Sequence, residues 1–188
     1  MLTPEQRKTL LTIARESIRS VFEGRRPELD ESRYDADLHR LAGAFVTLTE
    51  HGDLRGCIGS IMPTAPLYEA VSSSAVNAAF RDPRFDPLDR AELDSIDLEI
   101  SVMGPITPVK DIGEIEVGRD GLIISRGHSA GLLLPQVATD YGWDRETFLS
   151  QTCWKAGLPL DAWKQPGTKI ERFSAEVFGE QSTENKDT

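Results

Sequence analysis

The stretch Gly43-Ala44-Phe45-Val46-Thr47-Leu48-Thr49-Glu50-His51-Gly52-Asp53-Leu54-Arg55-Gly56-Cys57-Ile58-Gly59-Ser60 reads as strand, turn and strand. Residues 43–49 are rich in β-branched and aromatic side chains, and Glu50 to Asp53 supply turn chemistry. Leu54 to Ser60 forms the returning strand, although its glycines give a ladder little to pack. A second strand signal lies at Ile96 to Met103. There Ile96, Leu98, Ile100 and Val102 alternate with Asp97, Glu99 and Ser101, which predicts one wet face. Lys169 to Phe178 reads as a last strand. Helical patterns fall between these segments without regular alternation. The expectation is therefore an α+β fold with a mostly antiparallel sheet.

Working outward, Thr3, Pro4 and Gln6 carry the signature of a helix start, with a side-chain cap on each side of the first turn. Leu10, Leu11, Ala14, Ile18, Val21 and Phe22 then recur at helical spacing, and Gly24 is a stop. Residues 25–40 are charged and irregular and are expected as a loop. Pro66 to Arg81 predicts a helix with a small-residue face, ended by two prolines in Arg81-Asp82-Pro83-Arg84-Phe85-Asp86-Pro87-Leu88. Residues 112–117 and 121–125 suggest short extended pieces, with 126–131 as a loop into Leu132-Leu133-Leu134. Pro135 starts a short helix. Asp144 caps another, which Gly157 ends. Residues 1–179 are expected as a single domain, and 180–188 as a disordered tail.

The chain has 188 residues, 39% hydrophobic and 28% charged, which is the composition of a globular domain able to bury its own core. Its formal net charge of −10 disfavours general binding to nucleic acid or to anionic membrane. No apolar run approaches the roughly 20 residues that cross a bilayer, and residues 1–7 lack the order of a signal peptide. A cytoplasmic protein is expected. Residues 82–120 hold 11 acidic against 4 basic residues. A solvated face is the simpler reading of that excess, a partner-docking surface the alternative.

Two cysteines, Cys57 and Cys153, exclude a disulfide framework, although a lone bridge between them stays open. Leu54-Arg55-Gly56-Cys57-Ile58-Gly59 brackets a thiol with two glycines and sets an arginine two residues before it. A guanidinium near the thiol favours the nucleophilic thiolate. On a strand the two side chains share a face, while in a bulge they need not. The competing reading is a small hydrophobe packed on a kinked strand. Cys153 on a helix favours packing as well. Cys57, Cys153 and His128 offer the groups for a thiol–imidazole pair or part of a metal site, but His39, His51 and His128 have no metal spacing. No metal and no cofactor is expected. Dinucleotide, P-loop, serine-hydrolase and zinc-protease motifs are absent. Arg81 and Arg84 can present guanidiniums to an anion or form a salt-bridged corner with Asp82.

Several ordered segments carry a resemblance. After Leu54–Gly59 come Asn77-Ala78-Ala79-Phe80-Arg81-Asp82-Pro83-Arg84-Phe85 and Leu98-Glu99-Ile100-Ser101-Val102. Then follow Gly121-Leu122-Ile123-Ile124 and Gly131-Leu132-Leu133-Leu134-Pro135-Gln136-Val137-Ala138. Cys153-Trp154-Lys155-Ala156-Gly157-Leu158-Pro159 and Trp163 close the set. Over about residues 5–178 the chain resembles the AMMECR-one domain family, also called protein A of the AmmeMemoRadiSam set. The resemblance implies a two-lobed α+β domain. Its larger lobe is a mostly antiparallel sheet with flanking helices, with a smaller lobe beside it and a groove between them that carries the Arg-Gly-Cys-Ile-Gly segment. It implies grouping with a Memo-like protein and a radical SAM protein. Carried over by position, the candidates are Arg55, Gly56, Cys57, Gly59, Asp82, Arg84, Gln136, Cys153 and Lys155. His128 falls where the family pattern does not fix a histidine.

Three functions follow as expectations. The first is an accessory or substrate-binding component for those two partners, holding a small molecule or peptide. The second is a thiol-dependent enzyme with Cys57 as nucleophile and Arg84 holding an anionic group. The third, RNA or nucleotide binding, is opposed by the net charge.

Overall fold

The cap at Thr3 forms as its sequence dictates. The Gln6 amide donates to the Thr3 hydroxyl at 3.2 Å, and the Thr3 amide donates to the Gln6 side chain at 2.8 Å. Helix α1 (Pro4–Phe22) follows. Leu10, Leu11, Ala14 and Ile18 turn inward, while Val21, expected on the same face, stays 37% exposed. The structure, a computed structural model, describes residues 1–180. They divide into two compact units, residues 1–103 with the strand end from Glu176, and residues 104–175.

In the first unit, residues 25–40 are not simply a loop. They contain a 3-10 turn (Glu31–Arg33) and a one-turn helix, α2 (Ala36–His39). The Asp35 carboxylate caps α2 through the Asp37 and Leu38 amides and seats Leu38 in the core. One helical turn is too short to leave a periodic pattern in sequence. The hairpin is as read: β1 (Ala44–Glu50) pairs antiparallel with β2 (Asp53–Ser60). Its turn residues His51 and Gly52 have φ of 54° and 89°. Two left-handed residues match the right-handed twist of the strands they join. β3 (Ile96–Met103) pairs with the other side of β1, and the end of β7 (Lys169–Gly179) continues the order to β2-β1-β3-β7. The wet face of β3 stops at Glu99, because Ser101 and Met103 are buried as well.

Helix α3 (Leu67–Phe80) lays Val71, Ala75 and Ala78 on this sheet against Val46, Leu48 and Ile100. Gly56 permits the approach. A Cβ there would stand 2.3 Å from the Ala78 carbonyl oxygen. At the chain's end, Glu176 accepts from Arg7 and from the Leu2 amide. Glu180, expected as the first residue of a tail, accepts from Arg15 and the Leu98 amide and belongs to the fold. Residues 181–188, the rest of that expected tail, lie outside the described residues.

The second unit carries β4 (Thr107–Pro108), β5 (Asp120–Arg126), β6 (Ser129–Leu133) and the first part of β7, with β5 and β4 each antiparallel to β7. Residues 112–114 form a 3-10 turn rather than an extended piece. Residues 126–131 are not a loop. Gly127 (φ 61°) and His128 make a two-residue turn between β5 and β6, and glycine at its first position supplies the backbone that turn requires. Helices α4 (Pro135–Asp140) and α5 (Arg145–Lys155) start at Pro135 and at the Asp144 cap, as read. Leu122, Ile124, Phe148, Leu149 and Cys153 form the core of this unit. Among the described residues no helix is long and apolar enough to cross a membrane.

Replacing Gly56 with alanine forces α3 off the sheet. Gly56→Ala is expected to lower the unfolding free energy by about 1–3 kcal/mol, read as a lower urea midpoint at unchanged slope.

Candidate functional site

β2 ends the strand order of its unit, so among the described residues its outward amides and carbonyls have no strand to pair with. At Cys57 two side chains stand in for one. The Cys57 amide donates to Asp82 Oδ2 at 2.9 Å, and Arg84 Nη2 donates to the Cys57 carbonyl at 3.3 Å. Asp82 in turn accepts from Arg84 Nη2 at 2.7 Å, Nε at 3.0 Å and the Arg84 amide at 3.1 Å. The corner exists because α3 stops at Phe80 and Pro83 and Pro87 forbid its continuation. Asp82 is buried. The Arg84 guanidinium beside it holds its carboxyl well below the usual carboxylate range, against the opposing effect of burial. The Arg84 side chain keeps 55% of its surface in solvent and lies over the Phe85 ring.

The Cys57 thiol points across the sheet. With the backbone groups of Cys57 turned outward, Cys57 and Thr47 form a non-hydrogen-bonded pair, in which side chains come closest. The Thr47 hydroxyl donates to Cys57 Sγ at 3.3 Å. Glu99 lies opposite Thr47 on β3. Its side chain reaches solvent, yet the surrounding protein desolvates the carboxylate and pushes its pKa up. A thiol, a hydroxyl and a carboxyl thus form one row over three strands, on the face opposite Val46 and Leu98.

Arg55 does not serve the thiol. Glu92 takes its guanidinium through two bonds, at 2.6 and 3.0 Å, and the Asp86 carbonyl takes a third at 3.0 Å. Arg84 is the guanidinium that meets Cys57, at its backbone carbonyl. Local spacing favours Arg55. The arginine 27 positions downstream is brought in by the corner after α3. The acidic residues of 82–120 are partly spent inside the fold: Asp82 and Glu92 in ion pairs, Asp89 and Asp111 as caps, and Asp120 with Arg119 and Arg172.

Of the remaining candidates, Gly56 and Gly59 sit on β2 with Cys57, whereas Gln136, Cys153, Lys155 and His128 belong to the second unit. Cys153 is fully buried in that unit's core, and burial pushes its thiol up. Both cysteines are free thiols. Gln136 is the second residue of α4, and its Oε1 is buried without a hydrogen bond among the described residues. Lys155 and His128 are exposed. No group of three or more histidine, cysteine or acidic side chains that could hold a metal occurs among the described residues. Thr47 and Glu99 went unnoticed in sequence. The alternation of residues 96–103 does place Glu99 on a wet face, but nothing local shows which strand lies opposite.

A family model described as AMMECR1 matches residues 11–178. An uncharacterised protein of Thermococcus gammatolerans is 46% identical over 183 residues, covering 92% of this chain and 89% of that one. One of Methanothermobacter thermautotrophicus is 45% identical over 186 residues, covering 95% and 96%. The crystal structure of the uncharacterized protein PH0010 from Pyrococcus horikoshii superposes with a TM-score of 0.87 at 40% identity, over 96% of this chain and 94% of that one.

Asp82 gives the corner a pH signature. Its folded pKa lies below the unfolded value of about 3.9, so it stabilises the fold above that value, and the contribution is lost as pH falls below about 5. Urea unfolding of the wild type and Asp82→Asn from pH 7 to pH 2 should show the variant less stable at pH 7 and the gap narrowing below pH 4. A gap independent of pH would show that the Asp82 carboxylate does not carry the corner.

Proposed function

The chain belongs to the AMMECR1 family, and from that premise we propose that it is a substrate-binding or accessory component, acting beside a Memo-like protein and a radical SAM protein, with the Cys57–Arg84 corner as its ligand contact. One observation carries the reading: a buried carboxylate, Asp82, clamps a half-exposed guanidinium, Arg84, against the backbone of Cys57. A guanidinium already fixed in place loses little freedom when it binds, which is the gain of preorganisation. Asp82 cancels its formal charge, so recognition there is directional rather than long-range. That suits the carbonyl or carboxylate oxygen of a small molecule or peptide better than a polyphosphate. The net charge of −10 works in the same direction.

A thiol-dependent enzyme is the second reading, and the row Cys57–Thr47–Glu99 favours it. A carboxyl with a raised pKa is a better proton acceptor near neutral pH. In this reading the Thr47 hydroxyl, already donating to Sγ, stabilises the Cys57 thiolate as it attacks, and Glu99 is the carboxylate of the row that favours loss of the thiol proton.

Two measurements separate them. Co-migration of the chain with the Memo-like and radical SAM proteins of the same cell is the expected result, and absence of a complex at every salt concentration, low and high, would remove the accessory reading. Iodoacetamide labelling of Cys57 should proceed at the same rate in Glu99→Gln as in the wild type. Marked slowing in the variant at neutral pH would move the assignment to the enzyme.

A further inference from the structure

Beyond Cys57 the edge of β2 opens. A cleft of about 280 Å³ lies in the first unit between this edge and α3. Its helix wall is Ala70, Ser73, Ser74 and Asn77, four small side chains at the spacing that puts them on one face of α3. Its strand wall includes Ile58, Gly59 and Ser60, and Met62 reaches it from the connection between β2 and α3. Alternation along the ladder gives the outward groups. Cys57, opposite Thr47, turns its amide and carbonyl away from β1, so Gly59, opposite Phe45, does the same two residues on. Asp82 and Arg84 occupy the outward groups of Cys57. Those of Gly59 face the cleft. A Cβ at Gly59 would stand 2.2 Å from the Ala44 carbonyl oxygen, so this position carries no side chain to cover the edge.

We propose that this cleft takes up the C-terminus of a short extended peptide, added antiparallel to β2 with its carboxylate at the Arg84 end. A strand edge facing a helix across a cleft is the geometry of strand addition, in which backbone hydrogen bonds supply affinity and adjacent pockets supply selectivity. Two features favour a chain end over a through-running segment. The cleft closes where α3 meets β2 at Gly56 and Ala78, and the edge is already filled at Cys57. Charge points the same way. Arg81, exposed and bonded to Asn77 at 3.3 Å, and Arg84 both sit at the closed end. Against them stand the Asp82 carboxylate and the C-terminal end of α3, worth about half a negative charge. The balance is positive there, while the cleft itself is lined by neutral side chains. The volume suits two or three residues.

This inference rests on the corner being a ligand contact and adds the ligand's class. The probe is a pooled library of N-acetylated pentapeptides randomised at every position, as free acids and as C-terminal amides. Binding to the full chain is read by backbone amide NMR. The free-acid pool is expected to shift Gly59, Ser60, Ser73 and Asn77, with at least about tenfold weaker binding by the amide pool, equivalent to about 1.4 kcal/mol. Ser73→Tyr fills the cleft from an exposed helix position and should abolish the shifts while leaving the thermal midpoint in place. Equal binding of acids and amides, or binding that survives Ser73→Tyr, overturns the proposal. So does an absence of peptide shifts. In that case, protection of Cys57 from iodoacetamide by succinate still supports the corner as a ligand contact, and no protection removes that reading too.

Discussion

A buried carboxylate is costly unless donors surround it, and Asp82 is placed where three parts of the first unit supply them. The Cys57 amide comes from the edge of β2, the Arg84 amide from the segment after α3, and the Arg84 guanidinium folds back from the solvent side. Without Asp82 the two amides lose this acceptor, and the guanidinium keeps only the Cys57 carbonyl as acceptor. The end of α3, the closure of the β2 edge and the orientation of Arg84 therefore form one arrangement. Where the carboxylate stops, the edge opens again, and the cleft beside α3 begins at that boundary.

The same constraint explains why the Arg-Gly-Cys-Ile-Gly segment is built as it is. Gly56 lets α3 approach to a distance no side chain tolerates, and Gly59 leaves the edge bare on the far side of Cys57. Arg55 holds the turn before β3 through Glu92. Within five residues the segment contains a packing point, a structural ion pair, a thiol and an open edge. The second unit repeats one element of this logic: Asp120 is buried and held by Arg119 and Arg172. It uses its own cysteine, Cys153, only to fill its core.

Much of the architecture was legible from residues alone, because its signals are local. Thr3, Pro4 and Gln6 interact within one turn, the His51-Gly52 turn is set by two backbone conformations, and the alternation at 96–100 reports burial one residue at a time. The misreadings fall where the local signal is short or ambiguous. Residues 36–39 are a single helical turn. Residues 126–131 look like a loop because Gly127 and His128 are turn residues whose flanking strand is only five residues long.

The sequence by itself determined the elements, their antiparallel association and the thiol flanked by glycines, since each depends on neighbours within a few positions. Only the tertiary structure decided which charges meet. Arg55 lies two residues from Cys57 and pairs instead with Glu92, while Arg84, 27 positions away, reaches the Cys57 backbone. Thr47 and Glu99 enter the site only through strand register. The physical reason is reach. Long flexible side chains settle on whichever partner the fold brings within hydrogen-bonding distance, and that distance is set by how strands and helices pack rather than by position along the chain.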